Sequence, residues 1–139
     1  MRRDMIKQME PQLFKISQGA VFQNDEGAIL ILRHKSGKWL LPGGKINKGE
    51  TSLEGLKREV KEETGINNFK VKGLVDFEAW SEGDSGKCVV TFLLEPIGDS
   101  NVVLSEEHDK YEWVLPADLS NYEFWHSSIL ERINKALAI

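Results

Sequence analysis

The chain has 139 residues, 29% of them charged and 40% hydrophobic, with a formal net charge of −4. That length and balance suit one globular domain over residues 1–139, large enough to bury a core unaided. The acidic balance argues against nucleic-acid polymers and anionic membranes, which require a basic field. No apolar run approaches a membrane span of about 20 residues.

The N-terminal stretch MRRDMIKQMEP has basic residues with no apolar segment behind them, which is not the layout of a secretory signal. Cys88 is the lone cysteine, so no intrachain disulfide can form and a reducing cytoplasm is the expected home. LFKISQGAVFQ (13–23) alternates as a strand does, and GAILILRHK (27–35) follows across an Asn-Asp-Glu-Gly turn. The two are expected to form a hairpin. Gly43-Gly44 reads as a turn that permits close backbone approach. Thr51 with Glu54 three residues on has the form of a capping box, and Gly65 stands where a helix end favours left-handed backbone. A helix is therefore predicted from Thr51 to Thr64. At about 100° per residue, Leu53, Leu56 and Val60 fall in an arc of roughly 60°, the expected core face.

Residues 69–81 alternate over their first half, and 87–96 have the continuous apolar centre of a strand covered on both faces, with a Gly83–Gly86 loop between them. KYEWVLP (110–116) reads as a short strand stopped by Pro116. From Tyr122 to Ile139 an amphipathic helix is expected, with Trp125, Ile129, Ile133 and Leu137 spaced by four. The order of elements predicts an α/β fold, a mixed sheet between helical layers.

Glu59, Glu62 and Glu63 occupy an arc of roughly 100° beside the core face. A run of charge on a helix is usually a solvated face. Here Arg58 and Lys61 are expected to point away, leaving Glu59 and Glu63 uncompensated at i,i+4, a cost of about a few tenths of a kcal/mol. A divalent cation would reverse that penalty, since Mg²⁺ prefers carboxylate and water oxygens with substrate phosphates beside them. Gly44 to Thr51 has the glycine spacing of a P-loop, but Glu50 replaces the phosphate-binding lysine and would repel a phosphate. A P-loop is excluded.

Gly44, Glu50, Arg58, Glu59, Val60, Glu62, Glu63, Gly65 and Ile66 fill every defined position of G-x5-E-x7-R-E-U-x-E-E-x-G-U, with U apolar. In this the chain resembles the Nudix hydrolases, and WLLPG (39–43) and EEHDKYEWV (106–114) are similar to the same family. The resemblance implies the Nudix fold, an α/β/α sandwich with a central mixed β-sheet. It also implies cleavage of the pyrophosphate linkage of a nucleoside diphosphate joined to a group X, with Mg²⁺ or Mn²⁺. It implies that Glu59, Glu62, Glu63 and the Gly43 carbonyl bind metal, and that one of these glutamates, or a carboxylate nearby, activates water. Arg58 would pair with Glu50 and hold the helix in register. A late acid often completes such a site, and Glu107 is the candidate, with Glu106 close behind. Gly44, Lys45 and Trp80 are the candidate substrate-binding residues.

The substrate follows by elimination within that resemblance. Relatives that cleave ADP-ribose tend to carry a proline shortly after the motif, and those that cleave dinucleoside polyphosphates a tyrosine. Residues 67–86 hold neither. A (d)NTP pyrophosphatase releasing NMP and pyrophosphate is the first reading. A dinucleoside polyphosphate or ADP-ribose-like hydrolase is the second, because SEEHDKYEWV is also similar to the former. A non-catalytic nucleotide-sensing module is the third, although such modules usually lose motif glutamates. The expected partner is a small-molecule nucleotide, and the expected state a monomer or homodimer. Phe14, Trp80 and Trp125 could stack on a base, though a core position is the usual fate of each. His34, His108 and His126 are scattered and expected to lie at the surface or be hydrogen-bonded.

Overall fold

The computed structural model describes residues 10–139. The first nine residues, which include most of MRRDMIKQMEP, lie outside that range. In chain order come β1 (Phe14–Phe22), β2 (Ile29–His34), β3 (Trp39–Leu40), β4 (Gly43–Lys45) and α1 (Ser52–Thr64). β5 (Phe69–Glu82), β6 (Ser85–Pro96), β7 (His108–Val114), a 3₁₀ turn (Pro116–Asn121) and α2 (Ser127–Leu137) follow. β4, β1, β6 and β5 form a mixed sheet in that order, with β1 and β6 parallel. β3, β2 and β7 form a second, antiparallel sheet.

The expected β1–β2 hairpin is not formed. The two strands lie in different sheets, joined by the single bridge of Gln23 with Ile29. Both edges of β1 are already taken, by β4 and β6. The Asn24 side chain accepts from the N–H groups of Glu26 and Ala28 and closes the tight turn, but the pairing it starts stops at that one bridge.

Successive residues of these strands feed two cores. Ala20, Phe22, Leu30 and Leu32 pack with Leu56 and Val60 of α1. Val21, Ile29 and Ile31 pack with Ile129, Ile133 and Ala136 of α2. A strand covered on both faces must be apolar at every position, and all of Ile29 to Leu32 is fully buried. Each such side chain contributes about 1.5–3 kcal/mol of burial. The result is the expected α/β/α layering around a mixed sheet.

Several boundaries differ from the sequence reading, and β7 runs from His108 to Val114 instead of over residues 110–116. The β5–β6 loop shrinks to Gly83-Asp84, because Glu82 already pairs with Ser85. Gly43-Gly44 is strand β4, paired antiparallel with β1, not a turn. The last helix starts at Ser127, capped by the His126 ring, which accepts from the Ser128 N–H. Before it, the Trp39 N–H donates to the Glu123 carbonyl and the Trp125 N–H to the Trp39 carbonyl. Those bonds hold residues 123–125 extended along β3, so Trp125 is not on the helix.

Candidate active site

The geometry of α1 starts from its caps. Thr51 accepts from the Glu54 N–H and Glu54 accepts from the Thr51 N–H, the reciprocal box the spacing predicts. Gly65 closes the other end in left-handed backbone at φ 73°, donating its N–H to the Lys61 carbonyl. Leu56 and Val60 are buried as expected. Leu53 is not: at the first turn it stands over a shallow groove beside Val71 and Phe92 and is 47% exposed.

Arg58 is the hub of the acidic face. Its Nε and Nη2 donate to both oxygens of Glu50 at 2.6 and 3.0 Å, a two-pronged pair. Nη2 also donates to the Lys45 carbonyl at 2.9 Å, and Nη1 to Glu59 at 2.8 Å and Glu62 at 3.3 Å. The expectation that Arg58 points away from the acids is therefore overturned. Arg58 and Glu62 are i,i+4 neighbours, and a long side chain bends back over that distance. The guanidinium and the Asn47 N–H hold the Glu50 carboxyl below the usual carboxylate range, and the Glu50 and Glu59 carboxylates raise the arginine pKa in return. One planar cation thus links the β4 backbone, the connecting loop and two glutamates of α1.

The two glycines make this approach possible. A Cβ on Gly44 would lie 2.3 Å from the Glu59 carboxyl carbon, and one on Gly43 would lie 2.0 Å from the Gln18 carbonyl oxygen. At Gly43 the obstacle is backbone, so no side chain fits, whereas a side chain at Gly44 would push the Glu59 carboxylate out of its place. The Gly43 N–H donates to Glu63 at 2.7 Å, tying β4 to the end of α1.

Glu63 is the buried member of the cluster, 7% exposed. Its pKa is pushed up to about 8, first by burial and then by the charges of Glu59, Glu107 and Glu62. Donor atoms of Glu63, Glu107 and His108 lie within 4.8 Å of one another. His108 was expected at the surface or satisfied, yet it is buried and its Nδ1 has no hydrogen-bond partner among the described residues. Burial lowers the imidazole pKa and raises that of Glu63, so both shifts favour the neutral forms across their 4.0 Å approach. Glu106 and Glu107 lie in the turn before β7, closed by the His108 N–H donating to the Ser105 carbonyl, and of the two Glu107 meets Glu63. Carboxylates crowded around a buried acid, beside an orphaned ring nitrogen, are a donor set that fits a divalent cation.

A cleft opens from β4 across the mixed sheet to α2. Gly43, Gly44, Gln18, His34 and Trp125 line a cavity of about 420 Å³. It adjoins a second of about 790 Å³ lined by Glu78, Trp80 and His126, the two sharing Ser17, Val89, Trp125, Ile129 and Arg132. Trp125 is 53% exposed, contrary to its expected core position, and its ring meets that of His34 edge to face at 5.0 Å.

Residues 13–133 match the NUDIX domain family. The chain belongs to the NUDIX hydrolase family. It is 35% identical over 106 residues to the uncharacterised Nudix hydrolase YvcI of Bacillus subtilis, covering 73% of this chain and 66% of that one. The nucleoside triphosphatase NudI of Escherichia coli is 29% identical over 118 residues, covering 74% and 83%. The crystal structure of the MutT protein of Methanosarcina mazei Go1 superposes with a TM-score of 0.74 at 28% identity, covering 94% and 97%.

In this Nudix chain, Glu50, Arg58, Glu59 and Glu62 are joined through one guanidinium, while Glu63 and Glu107 meet beside His108. Gly43 and Gly44 line the cleft that Trp80 lines further out. Lys45 faces a different groove, with Lys15 and Lys48, beside the exposed Phe14. The sequence reading missed His108, Gln18 and Arg132. Seven residues separate Leu56 from Glu63, about 20° on a helix, so the burial of that glutamate was there to be read. Nothing local marks Arg132, which reaches the cleft through the packing of α2.

Proposed function

We propose that this single-domain protein is a (d)NTP pyrophosphatase that uses Mg²⁺ or Mn²⁺ and releases NMP and pyrophosphate. The observation that carries the reading is the cleft, in which one opening joins Gly43-Gly44, at the foot of the acidic cluster, to the exposed indole of Trp125. A base stacked on Trp125 would direct its phosphates toward the carboxylates, with Arg132 beside the path. The similarity to a relative named as a nucleoside triphosphatase supports a triphosphate over a dinucleotide.

Glu59, Glu62, Glu63, Glu107 and the Gly43 carbonyl would hold the metal. When bound, it would neutralise phosphate charge and lower the pKa of water. The chain's own contribution is position. Arg58 and Glu50 fix the angle of α1 against β4, Gly44 leaves room for the Glu59 carboxylate, and a glutamate accepts the proton of the attacking water. Incubating the protein and Mg²⁺ with the canonical (d)NTPs, ADP-ribose and a dinucleoside tetraphosphate tests this. NMP and pyrophosphate from a triphosphate are expected, and faster cleavage of either other class would overturn the reading.

Two variants probe the parts. Glu107→Gln should lower the maximal rate about tenfold or more, ~1.4 kcal/mol of transition-state stabilisation, and Glu106→Gln far less. Equal small effects at saturating Mg²⁺ would leave the turn as solvent-facing charge. Trp125→Ala should raise KM about tenfold with kcat nearly unchanged, because stacking binds substrate and transition state alike. A fall in kcat alone would remove Trp125 from the base site.

A further inference from the structure

We infer that His108 is itself a metal ligand, and that with Glu63 and Glu107 it forms a mixed nitrogen–oxygen site that prefers first-row transition ions such as Mn²⁺ and Co²⁺ over Mg²⁺. The inference rests on the proposed function in placing Glu63 and Glu107 at the cation. It adds a residue that the motif does not contain, and with it a metal preference.

Three observations carry it. The His108 side chain is 2% exposed, and its Nδ1 has no hydrogen-bond partner among the described residues. Burying a polar nitrogen without a partner costs its full desolvation, and an apolar side chain would fill the same space without that loss. The ring is aimed into the acidic cluster, 4.0 Å from a Glu63 oxygen, which is too far for a hydrogen bond but suits two ligands of one ion. Backbone irregularity sets this aim, since the β2–β7 register shifts between Arg33 and His34, directly where His34 pairs with His108. Such bulges re-aim side chains beside functional sites. The chemistry then selects the ion. Mg²⁺ favours an all-oxygen shell, whereas an imidazole nitrogen adds affinity for the later divalent ions.

The test uses the full chain without nucleotide, titrated with CoCl₂, MnCl₂ and MgCl₂. Visible absorption follows Co²⁺, electron paramagnetic resonance follows Mn²⁺ and calorimetry follows Mg²⁺. Co²⁺ and Mn²⁺ should bind about tenfold or more tighter than Mg²⁺. His108→Gln and His108→Asn should remove about that factor and alter the Co²⁺ spectrum, with Mg²⁺ affinity nearly unchanged. In the unaltered protein Mn²⁺ should broaden the His108 ring resonances ahead of those of His34 and His126, a readout that does not depend on a variant folding. An unbroadened His108 ring, or a Co²⁺ spectrum identical in folded His108→Gln, would overturn the inference. In that event Mg²⁺-supported triphosphate hydrolysis would leave the proposed function standing. Failure of every metal to support hydrolysis would instead sink that function itself.

Discussion

Glu63→Gln is expected to reduce turnover about a thousandfold or more, ~4 kcal/mol of transition-state stabilisation, while making the metal-free protein more stable above neutral pH. The amide keeps the oxygen that accepts the Gly43 N–H at 2.7 Å, so the β4–α1 tie survives. It loses the charge that burial and three neighbouring carboxylates oppose. The carboxyl rises from an ordinary 4.5 to about 8, so between those values the folded chain holds a proton that the unfolded chain has released. Its contribution to stability is complete below the lower value. It drains away as pH rises through the window, by up to about 1.4 kcal/mol per pH unit for one proton. Melting curves in EDTA from about pH 5 to about pH 8 should fall for the wild type, and less steeply for Glu63→Gln. Adding Mg²⁺ or Mn²⁺ should restore the wild type most at the alkaline end, because the cation competes with that proton. A Glu63→Gln protein less stable than wild type at about pH 8 without metal would show that the cluster is a structural network. Glu62→Gln should hardly move the melt, since its side chain is 58% exposed and its contact with Arg58 is long.

Arg58→Lys is expected to lower kcat by about ten- to a hundredfold although the charge is kept. The guanidinium makes five hydrogen bonds in four directions, to Glu50 twice, Glu59, Glu62 and the Lys45 carbonyl. An ammonium has three donors on one atom and cannot span Glu50 and Glu59 while still reaching β4. The freed carboxylates would then repel one another, and α1 would lose its register on the Gly43–Lys45 strand. The melting temperature should fall as well, which separates this variant from Glu63→Gln. Lost metal affinity with an unchanged melt would mean that Arg58 tunes only the glutamates. Near wild-type turnover would show that the pairing with Glu50 does not position the site.

The acidic helix was legible because helix geometry is local. A cap, a glycine terminator and the spacing of Leu56, Val60 and the glutamates are all set within two or three turns, and the structure keeps each of them. The layered fold was legible for a related reason, since a strand apolar at every position, as in Ile29 to Leu32, has to be covered on both faces. Partner choice was not legible. Whether β1 pairs with β2 or with β4 and β6 depends on segments far apart in the chain, and alternation is the same in either arrangement. Gly43-Gly44 carried a true message, close approach, but not the identity of what approaches: the Gln18 backbone on one side and the Glu59 carboxylate on the other. Trp125 and His108 show the limit most clearly. By composition Trp125 belongs in a core and His108 at the surface, and the structure reverses both. Two backbone bonds to Trp39 hold one in the cleft, and a register shift between β2 and β7 turns the other inward. The sequence by itself determined that four carboxylates exist to be gathered and that one helix presents three of them. Only the tertiary structure decided which late residue meets them, because strand register is settled by contacts summed over a whole sheet.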